Sequence, residues 1–312
     1  MKHATFFAWA LLTVSLLASV PVVAQQFGPW SAPVNLGPTI NTTPYSEYAP
    51  AISQDGLSLY FHSDRPGGFG RLDIYVSQRA SVNDPWGPPQ NLGPKINSSL
   101  NDASPMLSPD GHRLYFQSGR PGGCGGTDLY VSRRHNKRDD FGWQPPVNLG
   151  CQVNSNSSDQ QPWVFEDETT GITTLYFTSN RPGGLGGSDI YTSELQPDET
   201  FGPAVLATEL SSSANDGGVT IRRDGLEIFF SSDRFVAPQH DDLWVATRPS
   251  TSDPWSAPEN LGPVVNSVYT DHLPELSFDG TALYFTSIDP TLTSFDLFVS
   301  TREKLKSPDG EE

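Results

Sequence analysis

Cysteine and methionine are scarce, two of each in 312 residues. Cys124 and Cys151 form no metal-binding motif. Basic residues are few: 19 Lys and Arg stand against 36 Asp and Glu, for a formal charge of −17. Nucleic-acid affinity comes mainly from Lys and Arg on phosphates, so that class of partner is excluded. After the first two dozen residues no stretch is apolar enough to span a bilayer as a helix, and none holds a 3.6-residue apolar period. There is no Gly-x-Ser-x-Gly elbow for a Ser-His-Asp hydrolase. The glycine-rich loops lack the Lys-Ser/Thr and the following helix that cradle phosphate. An acidic chain of this kind suits solubility, a cation, or a neutral or basic ligand.

Glycine and proline, by contrast, number 28 each. Set at regular spacing between short apolar runs, they indicate an all-β chain. The N-terminus is different. Lys2 and His3 precede an apolar run from Phe6 to Val20, and Val22-Val23-Ala24 offers small residues before Gln25. Residues 1–24 therefore read as a secretory signal peptide, and the mature chain as periplasmic or extracellular. In such a compartment Cys124 and Cys151 are expected to pair.

One segment recurs: Trp30-Ser-Ala-Pro-Val-Asn-Leu-Gly37, Trp86-Gly-Pro-Pro-Gln-Asn-Leu-Gly93, Trp143-Gln-Pro-Pro-Val-Asn-Leu-Gly150 and Trp255-Ser-Ala-Pro-Glu-Asn-Leu-Gly262, with a degenerate copy from Thr200 to Ala207. The intervals are 56, 57, 57 and 55 residues. Each copy is followed by an acid opening a short strand, a tight turn, an aromatic strand such as Leu59-Tyr-Phe61, and a strand opened by Asp, such as Asp73-Ile-Tyr-Val76. Asp-Gly marks the turn in four copies, and these pairs supply the positive φ of a short hairpin. The third copy has a longer excursion from Glu166 to Gly171. Adjacent apolar residues such as Tyr60 and Phe61 point to opposite faces of a strand, so both faces must be buried.

Four-stranded units repeated five times predict a five-bladed β-propeller of antiparallel blades. The repeats run approximately 29–85, 86–142, 143–199, 200–254 and 255–303, giving a propeller over 25–303 and a polar tail over 304–312. The Trp segment comes first at the N-terminus and is missing after the last Asp-Leu-Phe-Val. Residues 29–37 are therefore expected to pair with 296–300 and close the ring in the last blade.

Ser108-Pro-Asp-Gly-His-Arg-Leu-Tyr-Phe116, followed by Asp128-Leu-Tyr-Val-Ser132, resembles the WD40-like propeller repeat of the TolB type. It is similar above all to the variant with Arg-Pro-Gly-Gly loops that occurs in bacterial envelope proteins. The resemblance covers roughly Phe27 to Arg302. It implies a propeller that serves as a binding scaffold, while one fold can host many activities.

Strand order brings the starts of the inner strands, the Arg-Pro-Gly-Gly loops and the Asn-Leu-Gly linkers to one face, here the top. Glu47, Asp102, Asp159, Asp216 and Asp271 begin the five inner strands and are expected to ring the channel mouth there. They would hold a cation or polar ligand, or else pair with the loop arginines Arg65, Arg120, Arg181 and Arg234. Symmetry breaks in blade five, with His272 and Glu275 on its inner strand; Ala51, Met106, Trp163 and Thr220 match Glu275. The loops at 235–241 and 288–294 also depart from the repeat. The binding candidates are these acids and arginines with Trp163, His272 and Glu275.

The leading expectation is an exported, monomeric, non-catalytic binding or assembly module whose ligand, a protein or a glycan such as peptidoglycan, sits at the top-face channel mouth. The alternative is a glycoside hydrolase using inner-strand carboxylates, with Asp159, Asp216, Asp271 and Glu275 as candidates, since such chemistry needs two carboxyl groups with separated pKa values. No metal ligand set and no cofactor is assigned; Ca²⁺ is the candidate ion for the acid ring.

Overall fold

The computed structural model describes residues 25–235, 240–288 and 294–306. The expected signal peptide and the end of the tail lie outside them. Twenty strands form five four-stranded antiparallel sheets, with no α-helix among the described residues. In blade one the inner strand is Glu47–Ile52, the second Ser58–Ser63, the third Asp73–Gln78 and the outer Gln90–Asn91. The inner strands of blades two to five are Asp102–Leu107, Asp159–Glu166, Asp216–Ile221 and Asp271–Leu276. This is the five-bladed propeller expected from the repeat.

The ring closes where the permuted repeat requires. Val34–Asn35 is the outer strand of blade five, with Val34 opposite Val299 and Asn35 opposite Phe298. Ser31 N–H donates to the Thr301 carbonyl at 2.7 Å and Leu36 N–H to that of Leu297 at 3.0 Å. No sheet edge is left open at the joint.

Apolar burial is concentrated at the seams between blades. Tyr60 faces blade two, in a cluster with Phe116 and Trp143, while Phe61 faces blade five, in a cluster with Tyr284 and Leu297. Outside four of the five sheets an arginine that follows the third strand joins the Trp segment to the Asp-Gly turn. Arg79, Arg134, Arg248 and Arg302 lie 4.1–4.3 Å from the rings of Trp86, Trp143, Trp255 and Trp30. Their Nε–H groups donate to the turn carbonyls of Gly56, Gly111, Gly225 and Gly280. Blade three has neither an Asp-Gly turn nor this arginine; Leu195 and Phe201 pack there instead.

The inner strands share a further device. Each carries a bulge at the same place, with Ala49, Ser104, Gln161, Gly218 and Leu273 all at φ between 49° and 59°. The freed N–H of each donates to a polar side chain on the second strand of the preceding blade: Thr286, His62, Gln117, Thr178 and Ser231 in turn.

Candidate functional site

The acids that open the inner strands do begin all five, but four of them are consumed by the scaffold. Arg65 pairs with Glu47 at 2.7 Å, Arg120 with Asp102 at 2.7 Å and Arg181 with Asp159 at 2.5 Å, and Arg234 pairs with Asp216. The four acid side chains are fully buried. Each arginine lies between two aromatic rings, as Arg65 does between Phe61 and Tyr75, both 5.1 Å away. A nearby N–H and hydroxyls complete each carboxylate: Thr42 and Ser63 for Glu47, Ser98 and Ser118 for Asp102, Ser155 and Ser179 for Asp159, Ser212 and Ser232 for Asp216.

Asp271 differs. The repeat offers Asp289 where the other blades have arginine. The Asp271 carboxylate accepts the Ser267 N–H at 2.6 Å, and burial pushes its pKa up against hydrogen bonds from Ser287 and Ser267. Among the described residues no group of three or more His, Cys, Asp or Glu is placed to hold a metal ion.

The Arg-Pro-Gly-Gly loops serve the same frame. Gly67, Gly122 and Gly183 have φ between 93° and 99°. A Cβ on the following Gly68, Gly123 or Gly184 would overlap the carboxylate of Asp73, Asp128 or Asp189. Each of those carboxylates accepts loop N–H groups, those of Phe69 and Gly70 in blade one. One glycine supplies the conformation and the other the space. Cys124 and Cys151 are joined in a disulfide, with Cα atoms 5.6 Å apart, and tie this loop of blade two to the linker that leaves the blade.

His272 belongs to an aromatic group at the top of blades five and one. Its ring stacks on Phe295 at 5.2 Å, and Tyr48 stacks on His62 at 5.1 Å. Burial, with the facing His272, pushes the His62 pKa down to about 3, so its Nδ1 is free to accept the Ser104 N–H. Residues 236–239 and 289–293 of the two divergent loops lie outside the described residues.

A cavity of about 730 Å³ opens at the other mouth of the channel, among the Asp-Gly turns. Glu275 and Trp163 line it, whereas Asp159, Asp216 and Asp271 do not. The structure therefore separates Glu275 from the three aspartates grouped with it on sequence grounds. The physical reason is strand direction: the aspartates begin their strands at the top, while Glu275 follows the bulge and lies near the bottom.

Four further carboxyl groups that sequence reasoning passed over as site residues share the cavity, Asp55, Asp110, Glu166 and Glu168, of which Asp110 and Glu166 have their pKa values shifted in opposite directions. Glu166 ends the blade-three inner strand, which runs eight residues where the others run six. The positions that match it are Gln54, Pro109, Arg223 and Phe278, and all of them line the cavity. Five different side chains at one repeat position were the available signal. Burial raises the Glu166 pKa, and the negative charges of Asp110 and Glu168 add to this. Burial also works on Asp110, but the Ser108 hydroxyl, the His112 N–H and Arg113 outweigh it and hold this carboxyl below its ordinary value. Glu275 is buried against the Ile52 N–H, which donates to its Oε1 at 3.2 Å, and burial pushes its pKa well up. One cavity thus holds a carboxyl with a lowered pKa and two with raised ones, beside the apolar surfaces of Trp163, Phe165 and Phe278.

No family model and no curated protein matches the chain. Solved structures do. The catalytic domain of a GH62 α-L-arabinofuranosidase from Coprinopsis cinerea aligns with TM-score 0.58 at 16% identity, over 88% of this chain and 96% of that one. An α-L-arabinofuranosidase from Lactobacillus brevis gives 0.57 at 17%, over 89% and 96%. A putative TolB from Agrobacterium tumefaciens gives 0.49 at 18%, over 85% and 79%. At these identities the likeness establishes the fold. The match to TolB carries no argument beyond the repeat resemblance. The expectation of a non-catalytic module is corrected by these matches, since the chains similar to it over nearly their whole length are glycoside hydrolases. At the top mouth four of the five acids pair with the loop arginines, the second of the two readings given for the ring, and Asp271 stands outside that set.

Proposed function

We propose that this chain is a glycan-active hydrolase, exported by residues 1–24, whose reaction takes place in the cavity at the Asp-Gly mouth. The observation that carries the reading is the Asp110–Glu166 pair, two cavity carboxyl groups from adjacent blades whose surroundings push their pKa values apart. Such a split assigns acid and base. Glu166, biased toward its protonated form, donates its proton to the leaving glycosidic oxygen. Asp110, held ionised, takes a proton from the attacking water or attacks the sugar itself. Glu275, whose pKa burial pushes well up, can donate a hydrogen bond to a sugar hydroxyl in its protonated form. Trp163 and Phe278 offer apolar faces for the sugar ring. The α-L-arabinofuranosidases that share the fold support glycan chemistry as the first to test.

The test is release of sugar from aryl α-L-arabinofuranosides and other aryl glycosides, and from plant and bacterial wall polysaccharides, by the purified mature chain. Glu166→Gln and Asp110→Asn should each lower kcat by at least about 100-fold, the usual contribution of a general acid or base, with melting temperature retained. Absence of hydrolysis across the panel, or full activity in both variants, overturns the reading.

A further inference from the structure

The loop that leaves the third strand of blade two breaks the symmetry of the bottom face. It runs ten residues from Arg134 to Trp143, against eight from Arg79 to Trp86 and from Arg248 to Trp255. The longer loop carries Asp140, whose side chain is 3% exposed. Its carboxylate accepts from Ser58 Oγ at 2.6 Å, Tyr60 Oη at 2.6 Å and Gln78 Nε2 at 2.7 Å, all on blade one, and from Arg134 Nη1 at 2.6 Å. Four donors converge on this one carboxylate, so the loop is fastened across the seam between blades one and two.

The fastened loop carries Lys137 and Arg138 to the wall of the cavity. Lys137 rests on the Asp110-Gly111 turn; a methyl group on Gly111 would come within 3.3 Å of Lys137 Cβ. Both residues are exposed. Arg134 pairs with Asp140, Arg133 with Glu199 and Arg223 with Glu168, while Arg79 lies on the Trp86 ring and donates to the Gly56 carbonyl. Among the described residues Lys137 and Arg138 make no ion pair. Most of the facing acids already have partners: Glu168 is held by Arg223, Asp110 by Ser108 and Arg113, Asp55 by Ser53 and Glu275 by the Ile52 N–H, while burial raises the pKa of Glu166 and of Glu275. In a chain of charge −17, two adjacent cations without an internal counter-ion, held by a buried anchor at a cavity, form a preorganised anion site.

We propose that the glycan taken by this cavity is acidic, a uronate-bearing chain whose carboxylate is held by Lys137 and Arg138. The proposal rests on the reading of the cavity as the glycan site. Arg138 can meet a carboxylate with two parallel N–H groups, and Lys137 adds a point charge.

Calorimetric titration of the full mature protein with trigalacturonate and with neutral arabinotriose, at low and high salt, tests it. The wild type should prefer trigalacturonate, and salt should weaken that binding. In a Lys137→Ala/Arg138→Ala variant that melts like the wild type, the ratio of acidic to neutral affinity should fall by about tenfold or more, as expected for lost charge-assisted contacts. Equal affinity for the two sugars in the wild type, or an unchanged ratio in the variant, overturns the proposal; so does no binding of trigalacturonate. Parallel product analysis separates the two readings. Trigalacturonate bound with the expected ratio but never cleaved, alongside inert arabinosides, sinks the hydrolase and leaves the anion site. Arabinosides cleaved without any acidic preference sink the anion site and leave the hydrolase.

Discussion

Replacing Asp140 by alanine tests whether the blade-two loop is fastened as described. The substitution removes the carboxylate paired with Arg134, itself 2% exposed at the side chain, and withdraws the acceptor from Ser58, Tyr60 and Gln78 together. Breaking a buried pair from one side costs about 3–5 kcal/mol, because a charge is left uncompensated. The three neutral donors would add about 1 kcal/mol each if taken separately, but they share one acceptor and their costs overlap with that of the pair. At about 2 °C per kcal/mol for a chain of this size, the melting temperature should drop by about 6–10 °C. The pH dependence supplies a second check. Burial acts to raise the Asp140 pKa, but its four donors hold the carboxyl below its ordinary value. A depressed folded-state pKa contributes stability above the unfolded value, near pH 4, and loses it as pH falls through the folded value. The gap between wild type and variant should therefore be full at neutral pH and narrow under acid. Asp139→Ala, at the exposed neighbouring position, is the control and should cost under about 1 kcal/mol. Thermal unfolding followed by circular dichroism reads all three. An Asp140→Ala protein that melts within about 2 °C of wild type, or a gap independent of pH, would refute the reasoning.

The disulfide and the buried glutamate give two further outcomes. The Cys124–Cys151 bridge closes a separation of 27 residues, for which the chain-entropy model gives about 3–4 kcal/mol. Cys124→Ser/Cys151→Ser should lose that amount in urea unfolding, and a loss below about 1 kcal/mol would deny the bridge a part in stability. Glu275 has its folded-state pKa raised by burial, so its contribution is fully present below the unfolded value, near pH 4, and is lost as pH rises through the folded one. Glu275→Gln should therefore gain stability relative to wild type as pH rises toward the alkaline range; parallel melting curves against pH would remove Glu275 from the buried site.

The architecture was legible because the same segments return five times at intervals of 55–57 residues. Asp55-Gly56, Leu59-Tyr-Phe61 and Asp73 identify turn, core strand and loop acceptor, and repetition turns weak local signals into a blade. The permuted start at Trp30 likewise disclosed the closing strand. The alternatives weighed for the acid ring could not be separated without coordinates, since Arg65 and Glu47 lie 18 residues apart and the geometry of the loop between them decides whether they meet. The two faces differ for a physical reason. Long loops gather at the top, but their arginines are sandwiched by aromatic rings and tied to the acids. The shorter turns at the bottom leave room between them. Glu166 was hidden because blade three breaks the Asp-Gly pattern at that point, and Asp140 because its partners Ser58 and Tyr60 lie 82 and 80 residues away.

The inner-strand bulges explain how a symmetric frame can hold an asymmetric site. A left-handed conformation costs a residue with a side chain about 1 kcal/mol, and Ala49, Ser104, Gln161 and Leu273 all adopt it. A strain found in one blade would point to local function; found in every blade, it belongs to the ring. Each bulge sends an N–H across the seam to the neighbouring blade, and a net hydrogen-bond contribution of about 1 kcal/mol is of the same size as the strain. The acceptors differ from seam to seam, histidine, glutamine, threonine and serine, so the geometry is preserved while the chemistry is not. Beyond the bulge each inner strand runs to the bottom mouth with its backbone position already set. The residues there can change without disturbing the ring, and they have: Ala51, Met106, Trp163, Thr220 and Glu275 occupy one level, and Gln54, Pro109, Glu166, Arg223 and Phe278 the next. The acid–arginine pairs recur in four blades, whereas the residues at these two levels differ in every blade. By that criterion the four paired acids belong to the frame, and the proposed chemistry to the cavity among the Asp-Gly turns.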